Sequence, residues 1–540
     1  MIFNAISKIT GIEKDANNRG VACALKYAAD ILLWFAVFFY LTVTGAVLPL
    51  YLPGYEMLGT ERGQFWIKLL LISGKALLVP IAVYVLYLIV SFIRDGVLKK
   101  PVLYPADIPA VLFLISVTVS YALSDEKQIA LYGERGWYIG LIAYLSVGIG
   151  VLVIPRLGRA KNPFLPIIMA ASFIVCVIGI IQDFAGNVFG FDGWSADKVS
   201  TIGNANWFAG YLMTVMFTGV SAYFLTRKRN RSKKGRTETI LTVYLLVVFY
   251  MMIAQGSASA YLALWAVLLA LMIISGRNPG VLQRVLGLML LCAVSNLIHA
   301  IYVAFGGVSR PNDPIGRFIE KPVVAVLLLI LTAVVYAGTG YFARKGKEIK
   351  VNIGIILTVM TLCAALVFTL LLIANTGSGV GYLGKEGSLF WFDYHWGSSR
   401  GATLSIGMEV FKGMSPFEML FGKGPDTFYS FLTSGRFPET LAKCNEYFGG
   451  ARLTNTHCEL LTMLINTGIA GTVSFYGLMI CVMIKGFRKK KVTSLACSLC
   501  ILAYIINNIF SFQTAVNVSQ LALVLGFGAW AVIPDKSEDR

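Results

Sequence analysis

Charge is scarce in this sequence. Asp, Glu, Lys and Arg together make up 14% of its 540 residues, against about 25% in a soluble domain, which excludes an ordinary water-soluble fold. Histidine is scarcer, with three in the chain. Of the nine cysteines, most lie inside apolar runs and read as small apolar residues. Cys497 and Cys500 form a CxxC with no further ligands nearby, which argues against a metal site. Cys444 and Cys458 fall on one expected side of a membrane and could pair. There is no internal repeat of the inverted-transporter kind and no low-complexity linker. No short apolar run ends at a small-residue cleavage site near the start, so no cleavable signal peptide is expected.

What is present is hydrophobic. Apolar residues make up 57% of the chain, and mean hydropathy is +0.73. Runs of about 20 apolar residues recur, each long enough to cross a hydrocarbon core about 30 Å thick. The pattern predicts an all-α polytopic membrane protein of about fourteen transmembrane helices. The first lies near 28–50, the second near 67–93 and the third, a short one, near 106–123. The last three lie near 457–484, 492–512 and 516–534. A very tight break falls at Gln255-Gly256-Ser257-Ala258.

The net charge of +18 is distributed along alternate loops rather than gathered as a nucleic-acid footprint. One set is basic: it includes Arg94, Lys99 and Lys100; Arg156, Arg159 and Lys161; the run Arg227 to Arg236; and Lys485 through Lys491. The other set is balanced or acidic: Glu56, Glu61 and Arg62; Asp125, Glu126 and Glu134; Asp183, Asp192 and Asp197. By the positive-inside rule the basic set and both termini are cytoplasmic. The run at 227–236 reads as a topology anchor beside anionic lipids.

The apolar signal stops from 374 to 456, about 80 residues and far beyond an ordinary connection. The sequence thus divides into a helix bundle over 1–373, a large extracytoplasmic loop over 374–456 and C-terminal helices over 457–540. The loop is rich in aromatics, among them Trp391, Tyr394, Trp396, Phe428 and Tyr429, so it is expected to be folded. Its charges balance, so any anion must be held by individually placed arginines.

Several residues are candidates for chemistry. Asn204 or Asn206 can cap a helix starting near Trp207 and leave free N–H groups at its outer end. Arg400 begins an amphipathic run in which Leu404, Met408 and Phe411 share a face. Gly422-Lys423-Gly424-Pro425-Asp426-Thr427-Phe428 lacks phosphate-loop spacing and reads as a turn. His457 lies where the loop re-enters the membrane, on one helical face with Leu461, Leu464 and Gly468. Asn455-Thr456 can cap that helix, and Arg452 precedes it closely. Lys75 is a charge in the middle of the second span, where snorkelling is the plain explanation.

Taken in order, these segments resemble the O-antigen ligase and O-antigen polymerase family of bacterial membrane glycosyltransferases. The resemblance runs from about Ile178 to Gly471. It rests on Gln182 near the end of one span, then Gly203-Asn204-Ala205-Asn206 in place of a GNPN-like turn. It continues with Arg400 at the start of an amphipathic helix in a large outer loop. The GxGxxxF turn from Gly422 follows, and then His457-Cys458-Glu459-Leu460-Leu461 with Gly468 and Gly471. Two departures stand out: Cys458 replaces the familiar asparagine, and Ser257-Ala258 replaces a Ser-Arg pair.

The resemblance implies a GT-C-like fold in the bacterial cytoplasmic membrane, with the catalytic loop outside. It implies metal-independent, inverting transfer of a glycan from an undecaprenyl-diphosphate carrier to a glycan or lipid acceptor hydroxyl, with no cofactor. His457 would activate the acceptor, Arg400 would contact the diphosphate, and Arg452 would replace the missing arginine. Asn204 and Asn206 would contribute to substrate binding. The alternatives are a flippase or transporter of lipid-linked glycan, and a non-catalytic member of the same fold.

Overall fold

The computed structural model describes residues 2–12, 21–51, 69, 72–95, 103–157, 161–190, 199–225, 231–309, 314–376, 390–489 and 491–533. Glu56, Glu61, Arg62, Asp192, Asp197, Arg159 and the start of the basic run at 227–230 lie outside the described residues.

Among the described residues the secondary structure is entirely helical. Ten helices among the described residues are long and apolar enough to cross a membrane, consistent with a polytopic membrane protein. They are α1 (Val21–Leu50), α2 (Ile72–Asp95), α5 (Phe164–Ala185), α6 (Ala205–Leu225), α7 (Gly235–Gln255), α8 (Ala258–Ser275), α9 (Pro279–Ala304), α10 (Pro322–Arg344), α11 (Ile353–Ala374) and α17 (Gly468–Arg488). Four shorter apolar helices join them: α3 (Asp107–Leu123), α4 (Leu141–Leu157), α18 (Val492–Asn507) and α19 (Ala515–Ala531).

The bundle is built around α6, α18 and α19. α19 reads AVNVSQLALVLGFGAWA, with no charge on any face, and such a helix belongs in an interior; all but one of its residues are buried. Glycines let its neighbours approach: a Cβ on Gly528 would come within 2.6 Å of Val482 on α17. α1 bulges into a π-turn at Val43–Val47. There the Thr44 carbonyl accepts a hydrogen bond from Gln520 of α19 at 2.5 Å, which satisfies a backbone group that lipid could not. The periphery is apolar in the opposite sense. α11 carries Ile355, Val359, Leu366 and Ile373 exposed, and none of its most apolar window is buried in the protein. In water that surface would be costly; facing acyl chains it is neutral.

The expected single span at 457–484 is two helices. α16 (Glu459–Asn466) stops at Thr467, Gly468 takes φ +69°, and α17 starts afresh. A Cβ on Gly468 would meet the Leu420 carbonyl at 2.4 Å, so only glycine fits the break. Within the described part of α2, Lys75 lies three residues after Ile72.

From Phe390 onward the long loop is folded, as its aromatics suggested. It forms α12 (Trp396–Lys412), α13 (Pro416–Phe421), α14 (Phe428–Leu432) and α15 (Pro438–Phe448). Ile406, Val410, Phe428, Phe431, Leu432 and Phe437 form a second core, separate from that of the bundle and completed by Leu461 and Ile465 of α16. This lobe sits on the bundle end where α3 stops and α4 begins. Lys423 pairs with Asp125 at 2.9 Å, and Ser120 donates to the Asn466 carbonyl at 2.8 Å.

Candidate functional site

α12 opens irregularly. Gly397, Ser398 and Ser399 all take left-handed backbone angles, with φ of 60°, 58° and 71°, and regular helix starts only at Arg400. Two consecutive serines there are strained. They are held by Tyr447 of α15, whose hydroxyl lies 3.1 Å from Ser399 Oγ and donates to the Tyr394 carbonyl at 3.0 Å. The Asp393 carbonyl passes where a Cβ on Gly401 would lie, so residue 401 must be glycine. The kink sets Arg400 beside the connection between α18 and α19. Its Nε donates to the Phe510 carbonyl at 2.8 Å, and its Nη1 to the Gly397 carbonyl at 2.7 Å.

Ile406 and Val410 point into the lobe core, and Leu404 and Phe411 pack partly buried against it, while Met408 is exposed.

His457 is not on a helical face with Leu461 and Leu464. It precedes α16, with φ +53°, in a turn where Asn455 Oδ1 accepts the His457 N–H at 3.0 Å. Asn455 and Thr456 therefore shape this turn, while the N-cap position of α16 is Cys458, without a side-chain cap. The imidazole meets the Phe512 ring edge-on, centroids 4.9 Å apart. Burial and the nearby Arg400 guanidinium hold its pKa down to about 4. Arg400 and His457, far apart in sequence, thus lie within electrostatic reach of each other, and both rest on residues 510–512.

The other sequence candidates lie differently. Asn204 is a cap: its Oδ1 accepts from the N–H groups of Asn206 and Trp207 at 2.9 and 3.2 Å. α6 begins at Ala205, and Asn206 is exposed. Arg452 is engaged elsewhere, 2.7 Å from the buried Glu134 and over the Tyr429 ring at 4.6 Å. Cys444 and Cys458 are both free thiols, so that pairing is not made.

Two acidic residues that sequence reasoning missed complete the surroundings. Asp426, in the turn from Gly422, is buried, with φ 58°. Its Oδ2 accepts the N–H groups of Glu134 at 2.7 Å and Ile139 at 3.1 Å. Burial pushes its carboxyl up to about 7 despite those donors. Glu459 is 1% exposed and accepts from Gln513 Nε2 at 2.8 Å and from Asn508 Nδ2. Asp426, Glu459, Asn466, Phe512 and Gln513 share the walls of a cavity of about 20 Å³, room for one water. The available signal was polarity: Asn507, Asn508, Gln513, Thr514 and Asn517 interrupt an otherwise apolar C-terminal region.

No known family model matches this chain, and no curated protein matches it significantly.

Proposed function

We propose that this protein is an O-antigen ligase- or polymerase-like glycosyltransferase. It moves a glycan from an undecaprenyl-diphosphate carrier to an acceptor hydroxyl at the outer face of the bacterial cytoplasmic membrane. In this reading α3, α4, α18 and α19 also cross, making fourteen crossings in a GT-C-like arrangement. Both termini are cytoplasmic, and the outer lobe is extracytoplasmic.

The observation that carries the reading is the pairing of Arg400 and His457 on one short segment at the rim of an apolar bundle. A guanidinium suits a leaving diphosphate because its planar fork matches phosphate oxygens. The imidazole is neutral at pH 7 and has a lone pair to accept the acceptor hydroxyl's proton. The acceptor oxygen bonds to the anomeric carbon from the face opposite the leaving group, so configuration inverts. The glycosidic C–O bond to phosphate breaks, and its electron pair leaves on the diphosphate. Carrier diphosphate also raises the basicity of His457, because its negative charge offsets that of Arg400. The carrier chain lies against the lipid-facing helices.

The test is a reconstituted assay of purified protein with carrier-linked glycan and candidate acceptors, in parallel with analysis of glycolipids in cells lacking the protein. Accumulated carrier-linked polymer identifies a ligase, and accumulated single repeat units identify a polymerase. No change in either, with no transfer in vitro, overturns the reading.

A further inference from the structure

The connection from α18 to α19, residues 508–514, is gripped at both ends by one side chain. Glu459 accepts from Asn508 at one end and from Gln513 at 2.8 Å at the other. Its own backbone N–H donates to the Asn508 carbonyl at 3.0 Å. Between these anchors lie Phe510, whose carbonyl holds Arg400, and Phe512, whose ring carries His457.

The hydrogen bonds behind these anchors run toward Glu459 from both directions. On one side the Tyr144 hydroxyl donates to Gln513 Oε1 at 2.5 Å, and Gln513 donates to Glu459. On the other, Ser259 donates to Asn507 Oδ1 at 2.9 Å, Asn507 donates to Asn508 Oδ1 at 2.8 Å, and Asn508 donates to Glu459. Chains of aligned donors polarise one another, and here both end on the same carboxylate. An ionised carboxyl accepts on both oxygens; a protonated one must turn one oxygen into a donor. That donor would face an amide N–H, and one arm of the grip would open.

We propose that Glu459 is a positioning residue. Its carboxylate clamps both ends of the Asn508–Gln513 segment and thereby holds Arg400 and His457 in register. The inference rests on the glycosyl-transfer reading only for its activity readout. The groups facing Glu459 do not neutralise it: they are Tyr144 of α4, Tyr476 of α17, Tyr504 of α18 and, across the shared cavity, Asp426. With no cation among these, burial pushes Glu459 up to about 7 against the two amide donors. The clamp therefore closes as pH rises through neutrality.

The experiment compares full-length wild type with Glu459→Gln, Glu459→Asp and Gln513→Ala. Three quantities are read: amide exchange of peptides covering 508–514 and 396–402 at one fixed pH of 8, the His457 imidazole titration by NMR, and transfer from carrier-linked glycan across pH 5.5–8.5. Glu459→Gln and Gln513→Ala are expected to speed exchange in 508–514 and to move the His457 titration toward its ordinary value near 6.5. Transfer should fall about tenfold or more, because ~1 Å of misplacement costs up to ~10²-fold. Glu459→Asp should recover part of each. The wild-type pH profile should show a neutral inflection that Glu459→Gln lacks. Gln513→Ala leaves Glu459 itself in place, so it tests the clamp if Glu459→Gln fails to fold. Unchanged exchange in 508–514, or an unchanged His457 titration with faster exchange, overturns the proposal. If exchange and titration respond but even the wild type transfers no glycan, the clamp stands and the assigned reaction falls.

Discussion

Arg452 and Glu134 meet at 2.7 Å although 318 residues separate them. The pair ties the lobe to the turn before α4, next to the point where Asp426 binds the backbone of that same turn. It sets Arg452 apart from Arg400: Arg452 already has a carboxylate partner, and its side chain is half exposed.

Arg452→Ala is accordingly expected to act on stability more than on transfer. Exposed ion pairs contribute about 0–1 kcal/mol, but losing this one leaves the buried Glu134 carboxylate without its cation, so a loss of about 1–2 kcal/mol is expected. Thermal unfolding of the purified variant reads this, alongside turnover within a few-fold of wild type. A collapse of turnover at unchanged melting temperature would return Arg452 to the substrate site.

Arg400→Lys keeps the charge and loses the fork. The ammonium cannot reproduce both the bond to Phe510 and the bond to Gly397 while also meeting a diphosphate. Transfer should fall about 10²-fold, the scale of removing one well-placed donor to developing charge. Because arginine supplies the cation, wild-type activity should survive a chelator. A chelator-sensitive reaction that tolerates Arg400→Lys would discard this site.

His457→Ala should reduce transfer about 10²–10⁴-fold while the protein still inserts. In the ligand-free protein His457 should be neutral from about pH 5.5 upward, since its pKa is held down to about 4. Adding a soluble diphosphate analogue should raise that value. An imidazole that titrates near its ordinary value of about 6.5 with or without the analogue would show that Arg400 is not its neighbour.

Stability should carry opposite pH signatures from the two kinds of buried group. Asp426 and Glu459 have folded pKa values raised to about 7, so their contribution is full below about pH 4 and is lost as pH rises through 7. His457 is depressed to about 4, so its contribution is full above about 6.5 and is lost as pH falls toward 4. The effects partly cancel in the wild type. The melting-temperature offset of Glu459→Gln and of Asp426→Asn from wild type, whatever its sign, should be more favourable to the variant at about pH 8 than at about pH 5. An equal offset at both values would mean that neither carboxyl titrates in that window.

The proposed topology places Ser434 outside and the start of α7 inside. In a cysteine-free background, an impermeant thiol reagent applied to intact cells should label Ser434→Cys and spare Thr237→Cys. The reverse pattern would invert every assignment of sides.

Hydropathy made the positions of the long helices legible, because a lipid-crossing helix needs a continuous apolar run and tolerates little else. It could not show the break at Gly468, since the chain is apolar on both sides of it. It also carried the span from 492 on to 512, five residues past the end of α18 at Asn507, because Phe510 and Phe512 read as apolar. Arg400 and His457 were legible as candidates by residue type. Their meeting was not, because it depends on a left-handed Gly397–Ser399 kink and on a positive φ at His457, neither of which leaves a periodic signal. Glu459 was visible two residues after His457, but the side chains that grip it lie 49 and 54 residues further along the chain.

The lobe's second core has a consequence for anyone who would move the lobe. Leu461 and Ile465 close that core from α16, so a fragment ending at 456 exposes its underside and lacks two of its apolar plugs. A graft between proteins, or a soluble lobe for antibody work, needs a cut after Asn466, where Gly468 already turns the backbone into a new helix. The seam of this molecule runs through a glycine rather than along the membrane surface.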